Sequence, residues 1–464
     1  MEGLKALTPL DGRYANITKP LADIFSEYSL IKNRVMIEVE YLIFLSEFGR
    51  GRIIRELTSE EKNLLRKIYR NFPLEDAQKI KAIERKTKHD INAVILYLKD
   101  RIEGSNLRDI SHFVHFGLTS DDVNNIAYSL MLKEALESVL IPVLKEMMYL
   151  LVELSIKYKD LPLLARTHGQ PASPTTLGKE FSVFAERLGN EIKKLLKKKL
   201  PGKISGATGN FNAFYASFPE INWLDFSKKF IENFGLEPKI VTTQVVPHED
   251  ISDILQNLIR INNIIIELNV DMWLYISYGY FYQKSSIDEV GSSTMPHKVN
   301  PINFENSEGN LKVANSMLSM LANELQISRL QRDLSGSTIR RNYGTAMGYC
   351  LVAYKNTIKG LKKLTPNVEK MRMDLDQNAQ VVMEAFQVIL KKYGYRDAYE
   401  RLMKLSKGRT FTIEEVYEII KKLNLPEDLE RELAKITPQT YTGIAEKLAV
   451  LTAKKWLDFL KRNL

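Results

Sequence analysis

Leu132, Leu136, Leu140, Val143, Met147, Leu151 and Leu154 recur at steps of three or four and trace one apolar stripe along an unbroken segment. A strand would alternate with period two, so this spacing predicts a single long helix, bent where Pro142 removes a backbone donor. Two further stripes follow the same rule. One runs Leu177, Phe181, Phe184, Leu188, Ile192, Leu195, and the other Ile251, Leu255, Leu258, Ile261, Ile265, Leu268, Met272, Tyr275. Helices this long, with apolar residues also off the main stripe, pack on more than one side, as in a bundle shared between subunits. The expectation is a mainly α oligomer.

Helix starts are legible as well. Thr119-Ser120-Asp121-Asp122 supplies cap residues and first-turn acids that suit the positive end of the first long helix. Ser173 is the expected N-cap of the second, with Pro174 in its first turn. Strand signals are sparse, the best being Gly202 to Gly209, where glycines suggest a short hairpin or loop. Changes in helix length predict three domains, at residues 1–109, 110–364 and 365–464.

At 464 residues, with 44% hydrophobic and 27% charged side chains, the chain exceeds one core and has the balance of a soluble protein. Its one cysteine, Cys350, excludes an internal disulfide framework and points to the cytoplasm. Residues 1–6 do not read as a leader, and apolar runs such as Ile264-Ile265-Ile266 stop short of a membrane span. The net charge of +9 is spread over 66 basic and 57 acidic residues, which suits a small polyanionic substrate as well as nucleic acid. Lys193-Lys194 and Lys197-Lys198-Lys199, interleaved with Leu195 and Leu196, read as a solvated helix face, so neither a nucleic-acid nor a membrane partner is expected.

The segment Gly291-Ser292-Ser293-Thr294-Met295-Pro296-His297-Lys298-Val299-Asn300-Pro301 gathers hydroxyls, an imidazole, an ammonium and two prolines. Such a loop stays out of regular structure and carries serines that a mobile glycine could bring to a substrate. By itself it reads equally as a polar turn before a helix that begins near Pro301.

The six histidines are His89, His112, His115, His168, His248 and His297, and none forms a metal-ligand set with nearby carboxylates or cysteines, so no metal is expected. His168 stands in Arg166-Thr167-His168-Gly169-Gln170-Pro171-Ala172-Ser173-Pro174, just ahead of the second long helix. A helix N-terminus lowers a histidine pKa, so a general acid placed there needs a carboxylate to hold its proton. A hydrogen-bonded structural histidine is the alternative reading. The Val114 to Ser120 segment ends in hydroxyls and free helix N–H groups, a natural carboxylate site that ordinary capping also explains.

Taken together, the Gly291–Pro301 loop and several other segments, in order, resemble the fumarase and aspartase superfamily. They are Asp11-Gly12-Arg13-Tyr14, Lys88-His89-Asp90, His115 to Asn125, Arg166 to Pro174, Thr242-Thr243-Gln244 with Pro247-His248, and Ser328 to Asn342. Across nearly the whole chain they are most similar to the adenylosuccinate lyase family in its longer bacterial-type form. The argininosuccinate lyases fit less well, since this chain has Gly117-Leu118-Thr119-Ser120-Asp121-Asp122 and Met295-Pro296-His297-Lys298-Val299-Asn300-Pro301 where that family carries other residues.

The resemblance implies a three-domain, mainly α fold whose central long-helix bundle is shared in a homotetramer, with active sites built from several subunits. It implies β-elimination of fumarate from a succinylated purine-pathway nucleotide, adenylosuccinate or the succinyl-carboxamide ribotide, without a cofactor. Ser292 is the implied base, with Ser293 its understudy, His168 the acid, Glu305 the carboxylate that keeps His168 protonated, and Lys298 with Asn300 the stabilisers of the developing carbanion. Thr119, Ser120 and Gln244 fall to the succinyl carboxylates, and Arg13, Tyr14, His89, Arg332, Ser337 and Arg341 to phosphate and ribose. Lys88, Asp90, Asn306 and Thr338 complete the implied binding set, although Lys88 stands where a smaller polar residue is expected. Another fumarate-releasing lyase and a catalytically silent helical scaffold are the competing readings, and the intact Ser292, His168, Lys298 and Glu305 argue against the scaffold.

Overall fold

Each apolar stripe becomes a helix in the computed structural model, which describes residues 2–284, 295 and 297–463. Ser120–Ala135 runs into Ile141–Lys157 through one π turn, Leu136–Leu140, in which Ile141 N donates to Leu136 O. The bend expected at Pro142 is thus a widened turn just ahead of it, where the proline ring and missing N–H disfavour a regular α-turn. The second and third stripes form Leu177–Leu195 and Glu249–Ser277. Ile302–Glu324 and Tyr343–Lys363 add two more long helices, the first starting one residue after Pro301, whose carbonyl accepts from Phe304 and Glu305 N–H.

One helix start differs from the sequence expectation. Ser173 does not cap the Leu177–Leu195 helix, because Thr175–Thr176 pairs with Pro162–Leu163 as an antiparallel strand and delays the start. Thr176 Oγ1 accepts from Lys179 N at 3.2 Å instead, and Ser173 donates to Glu384. Of the short hairpin or loop suggested for Gly202–Gly209, the loop is what forms: Pro201–Gly202 pairs in parallel with Glu237–Pro238, and the following residues run as an irregular segment. Among the described residues the strands form only two-stranded pairs.

The chain divides into two compact units. The first comprises residues 1–142, 193–262 and 310–352. Its core contains Val35, Leu45, Ile91, Val94 and Ile126, with an aromatic group in which Tyr41 and Phe44 meet Phe226 at ring separations of 5.8 and 4.9 Å. The second comprises residues 143–192, 263–309 and 353–464. There Asn269, Ser307 and Thr357, from three long helices, bond one another at 2.8–2.9 Å, so the buried polar groups satisfy each other and fix the helical register. A second apolar cluster around Phe386, Leu390, Val416, Ile420 and Leu433 organises the shorter C-terminal helices.

Candidate active site

In the first unit, two glycines set the backbone beneath the candidate residues. Gly117 has φ +69° and a Cβ there would meet the Phe214 ring at 2.7 Å; Gly209 has φ +77° and a Cβ would meet Thr242 O at 1.9 Å. Side chains are excluded at both. The close approach at Gly209 holds residues 205–209 against residues 242–244, where Ser205 and Thr242 hydroxyls lie 2.9 Å apart and Gln244 Nε2 donates to Ala207 O at 2.8 Å.

Thr119 and Ser120 open the Ser120–Ala135 helix half-buried, as the sequence predicts, and Asp122 accepts from Thr119 N at 2.9 Å. Asp121 and Asp122 do more than cap. Asp121 is fully buried and accepts from Arg340 Nη2 at 2.7 Å. Burial pushes its carboxyl up, yet the Arg340 guanidinium outweighs this and holds it below the usual range. Asp122 lies 2.9 Å from the ammonium of fully buried Lys203, outside hydrogen-bond geometry, and accepts from Ser205 and Gly206 N–H. Here burial wins over Lys203 and the carboxyl is raised.

Three of the candidate residues join directly. Arg332 Nη1 donates to Gln244 Oε1 at 2.9 Å, and its Nη2 to Ser337 Oγ at 3.4 Å. Arg341 lies 3.4 Å from Glu27 and 4.0 Å from Asp90, and it lines a cavity of about 210 Å³ with Asp11, Thr18, Phe25, Ser26 and Gly344. The Asp11–Tyr14 motif and the Ser328–Asn342 segment therefore meet, although Arg13 and Tyr14 do not line that cavity; Arg13 lies 6.0 Å over the Tyr14 ring. Thr338 is exposed on the same short helix as Ser337. Lys88 ends a helix with φ +57°, and exposed His89 caps the next, its Nδ1 accepting from Asn92 N at 3.1 Å.

Sequence reasoning missed the buried partners. Arg34, 2% exposed, donates to Asp90 Oδ2 at 2.6 Å and to Asn124 Oδ1 at 2.9 Å. Glu38 Oε1 lies 2.5 Å from His115 Nδ1, and His115 adopts φ +65°. Burial lowers the affinity of His115 for a proton, but the Glu38 charge and hydrogen bond outweigh it, leaving the pKa raised. His248, buried and near Arg340, is pushed down to about 4, chiefly by burial. A signal existed: Arg34 and Glu38 sit four apart inside the apolar run Leu30, Ile31, Val35, Val39, where a charge must have a partner.

In the second unit, His168 is not at a helix end. It forms, with Gly169, the two-residue turn of a hairpin in which Arg166–Thr167 pairs with Gln170–Pro171. Both turn residues have positive φ, 53° and 73°, as this tight turn requires. The helix-end placement expected for it does not hold, because the Leu177–Leu195 helix starts several residues later. The ring is exposed and has no side-chain partner among the described residues. Glu305 stands in the first turn of Ile302–Glu324 and accepts from Trp273 Nε1 at 3.0 Å; it has no bond to His168. Lys298 is exposed, its N–H bonded to Met295 O. Val299 O, between Lys298 and Asn300, accepts from Gln283 Nε2 at 3.0 Å, and Asn306 follows Glu305 on the helix. Ser292 and Ser293 lie outside the described residues.

Among the described residues no group of acidic, cysteine and histidine side chains could hold a metal ion, and no helix is long and apolar enough to cross a membrane.

Residues 12–316 match the lyase family, and residues 328–442 the adenylosuccinate lyase C-terminal family. The chain is 42% identical over 449 residues to an adenylosuccinate lyase of Legionella pneumophila (strain Corby), covering 97% of this chain and 98% of the relative. It is 43% identical over 446 residues to that of Haemophilus influenzae, covering 96% and 98%. The fold is similar to that of a fumarate lyase from Mesorhizobium sp. BNC1, with TM-score 0.74, 17% identity and 94% and 97% of the two chains covered. It is equally similar to a 3-carboxy-cis,cis-muconate lactonizing enzyme from Pseudomonas putida, with TM-score 0.75, 19% identity and 95% and 97% covered.

Proposed function

The chain belongs to the adenylosuccinate lyase family, and from that premise we propose that it eliminates fumarate from adenylosuccinate, giving AMP, and from the succinyl-carboxamide ribotide by the same chemistry. It is a carbon–nitrogen lyase of mainly α fold. The observation that carries the reading is identity above 40% with adenylosuccinate lyases over nearly the full length.

The proton removed lies next to a carboxylate and is weakly acidic, so a base without charge stabilisation is insufficient. In this reading Ser292 is the base, activated by positive charge and exclusion of water. Lys298 and Asn300 receive the charge that develops in the carboxylate. Thr119 and Ser120, beside free N–H groups of a helix start, and Gln244, held by Arg332, receive the succinyl carboxylates. Arg341, with its cavity, and Arg332 and Ser337 take the anionic nucleotide end, as guanidinium forks suit phosphate. His168 protonates the leaving nitrogen, and Glu305 keeps it protonated.

The exposure of His168 on its own chain supports a site completed by other copies in a homotetramer. The division at 1–109, 110–364 and 365–464 belongs to the same reading, as does a cytoplasmic location, which suits the single buried thiol of Cys350.

Purified protein incubated with adenylosuccinate is expected to release fumarate and AMP in equal amounts. Ser292→Ala and His168→Ala are each expected to lower kcat by roughly 10² to 10⁴, the range for one proton-transferring group. Absence of fumarate from the unaltered chain, or undiminished turnover in both variants, overturns the reading.

A further inference from the structure

Ser337 is half-buried in the short Ser335–Arg340 helix, and its hydroxyl oxygen faces two guanidinium groups. Arg332 Nη2 donates to it at 3.4 Å and Arg340 Nη2 at 3.5 Å. A serine hydroxyl has two acceptor lone pairs and one proton. With both lone pairs facing cationic donors, its remaining function is to donate, and it donates to nothing among the described residues. A donor of this kind selects a partner that only accepts, such as an oxygen of a phosphate or carboxylate.

Arg340 has the opposite character from its neighbour Arg341. Where Arg341 is exposed, Arg340 is 3% exposed, lies over the Tyr128 ring at 5.3 Å, and is anchored by the buried Asp121. The same Nη2 serves both Asp121 and Ser337, while Nε and Nη1 make no hydrogen bond among the described residues. Asp121 is the residue after Ser120. The contact therefore ties the helix start carrying Thr119 and Ser120 to the helix carrying Ser337.

We propose that Arg340 is a positioning residue that, held by Asp121 and acting with Arg332, orients the Ser337 hydroxyl as a donor to an anionic oxygen of the substrate. The inference rests on the fumarate-releasing reading of this site and adds to it a residue that touches no substrate.

The test is a double-mutant cycle on KM and kcat for adenylosuccinate with Arg340→Met, Ser337→Ala and the double variant, alongside thermal melts. A hydrogen bond to a charged group corresponds to about a 10- to 100-fold change, so each single variant is expected to raise KM by about that factor. The double variant is expected to be no worse than the poorer single one, because Arg340 works through Ser337. Arg340→Lys, which keeps one charged donor, is expected to recover most of the loss. Succinyladenosine, which lacks the phosphate, locates the acceptor: the Ser337→Ala effect disappears for a phosphate oxygen and persists for a carboxylate oxygen. Unchanged KM in Arg340→Met, or additive effects accompanied by a lowered melting temperature, overturns the proposal. If Arg340→Met does not fold, the same cycle run with Arg340→Gln, which removes the charge but keeps a polar side chain for the buried site, decides by the same criterion. Fumarate release by the unaltered chain is scored separately, so failure of the activity is distinguishable from failure of the Arg340 role.

Discussion

Arg34 donates from Nη2 to Asp90 Oδ2 at 2.6 Å while its own guanidinium is 2% exposed, so a cation deep in the first unit holds the residue after His89. Burial raises the Asp90 carboxyl, but the Arg34 charge, with the Ile91 N–H, outweighs it and leaves the carboxyl below its ordinary value. Removing one partner of such a pair strands the other charge. Arg34→Met is expected to destabilise the fold by about 3 kcal/mol, in the range for breaking a buried ion pair, measured by denaturant unfolding. A loss below about 0.5 kcal/mol contradicts the buried-pair account.

Two histidines of the first unit give opposite pH dependences. His115 has a raised folded pKa, so the stability it contributes is complete below the ordinary value near 6.5 and is lost as pH rises through the folded value. His248, held near 4, stays neutral when folded and takes up a proton on unfolding. Its effect is a stability that falls as pH drops from about 6.5 towards 4, by up to about 1.4 kcal/mol per pH unit. Glu38→Gln is expected to flatten the first dependence and His248→Gln the second, read from unfolding free energy against pH. Unaltered profiles in both variants refute the assignment.

Trp273 Nε1 donates to Glu305 Oε1 at 3.0 Å, with the indole 42% exposed. Trp273→Phe keeps the ring and removes the donor. The expected outcome is a drop in kcat of about 10-fold, the order of one hydrogen bond to a charged group, with little change in melting temperature. An unaffected kcat separates Glu305 from Trp273.

Gly209 combines φ +77° with an approach to Thr242 O that leaves no room for a Cβ. Gly209→Ala is expected to cost more than about 1 kcal/mol and to raise KM, since residues 242–244 must shift. Thermal melts and steady-state kinetics check both, and an alanine variant as stable and as tight-binding as the parent rules out the constraint.

The helices were readable because their signal is local. Steps of three and four at Ile251 to Tyr275 bury the residues that the Glu249–Ser277 helix needs to bury. The start of Leu177–Leu195 was misread because the competing interaction, Thr175–Thr176 with Pro162–Leu163, joins residues that no local pattern relates. His168 was identified as a candidate, but its place at the tip of the Arg166–Thr167 and Gln170–Pro171 hairpin comes from strand pairing and not from a helix start. Asp121 looked like a helix-start acid and is one; its partner Arg340 stands 219 residues away.

By itself the sequence determined the helical class, the long apolar stripes, the family resemblance and the identity of nearly every candidate residue, because these depend on residue type and short spacing. Only the tertiary structure decided which charges are buried and with whom: Arg34 with Asp90, Glu38 with His115, Arg340 with Asp121. The physical reason is desolvation. A charge removed from water must find its counter-charge in space, and the chain brings that partner from wherever packing allows.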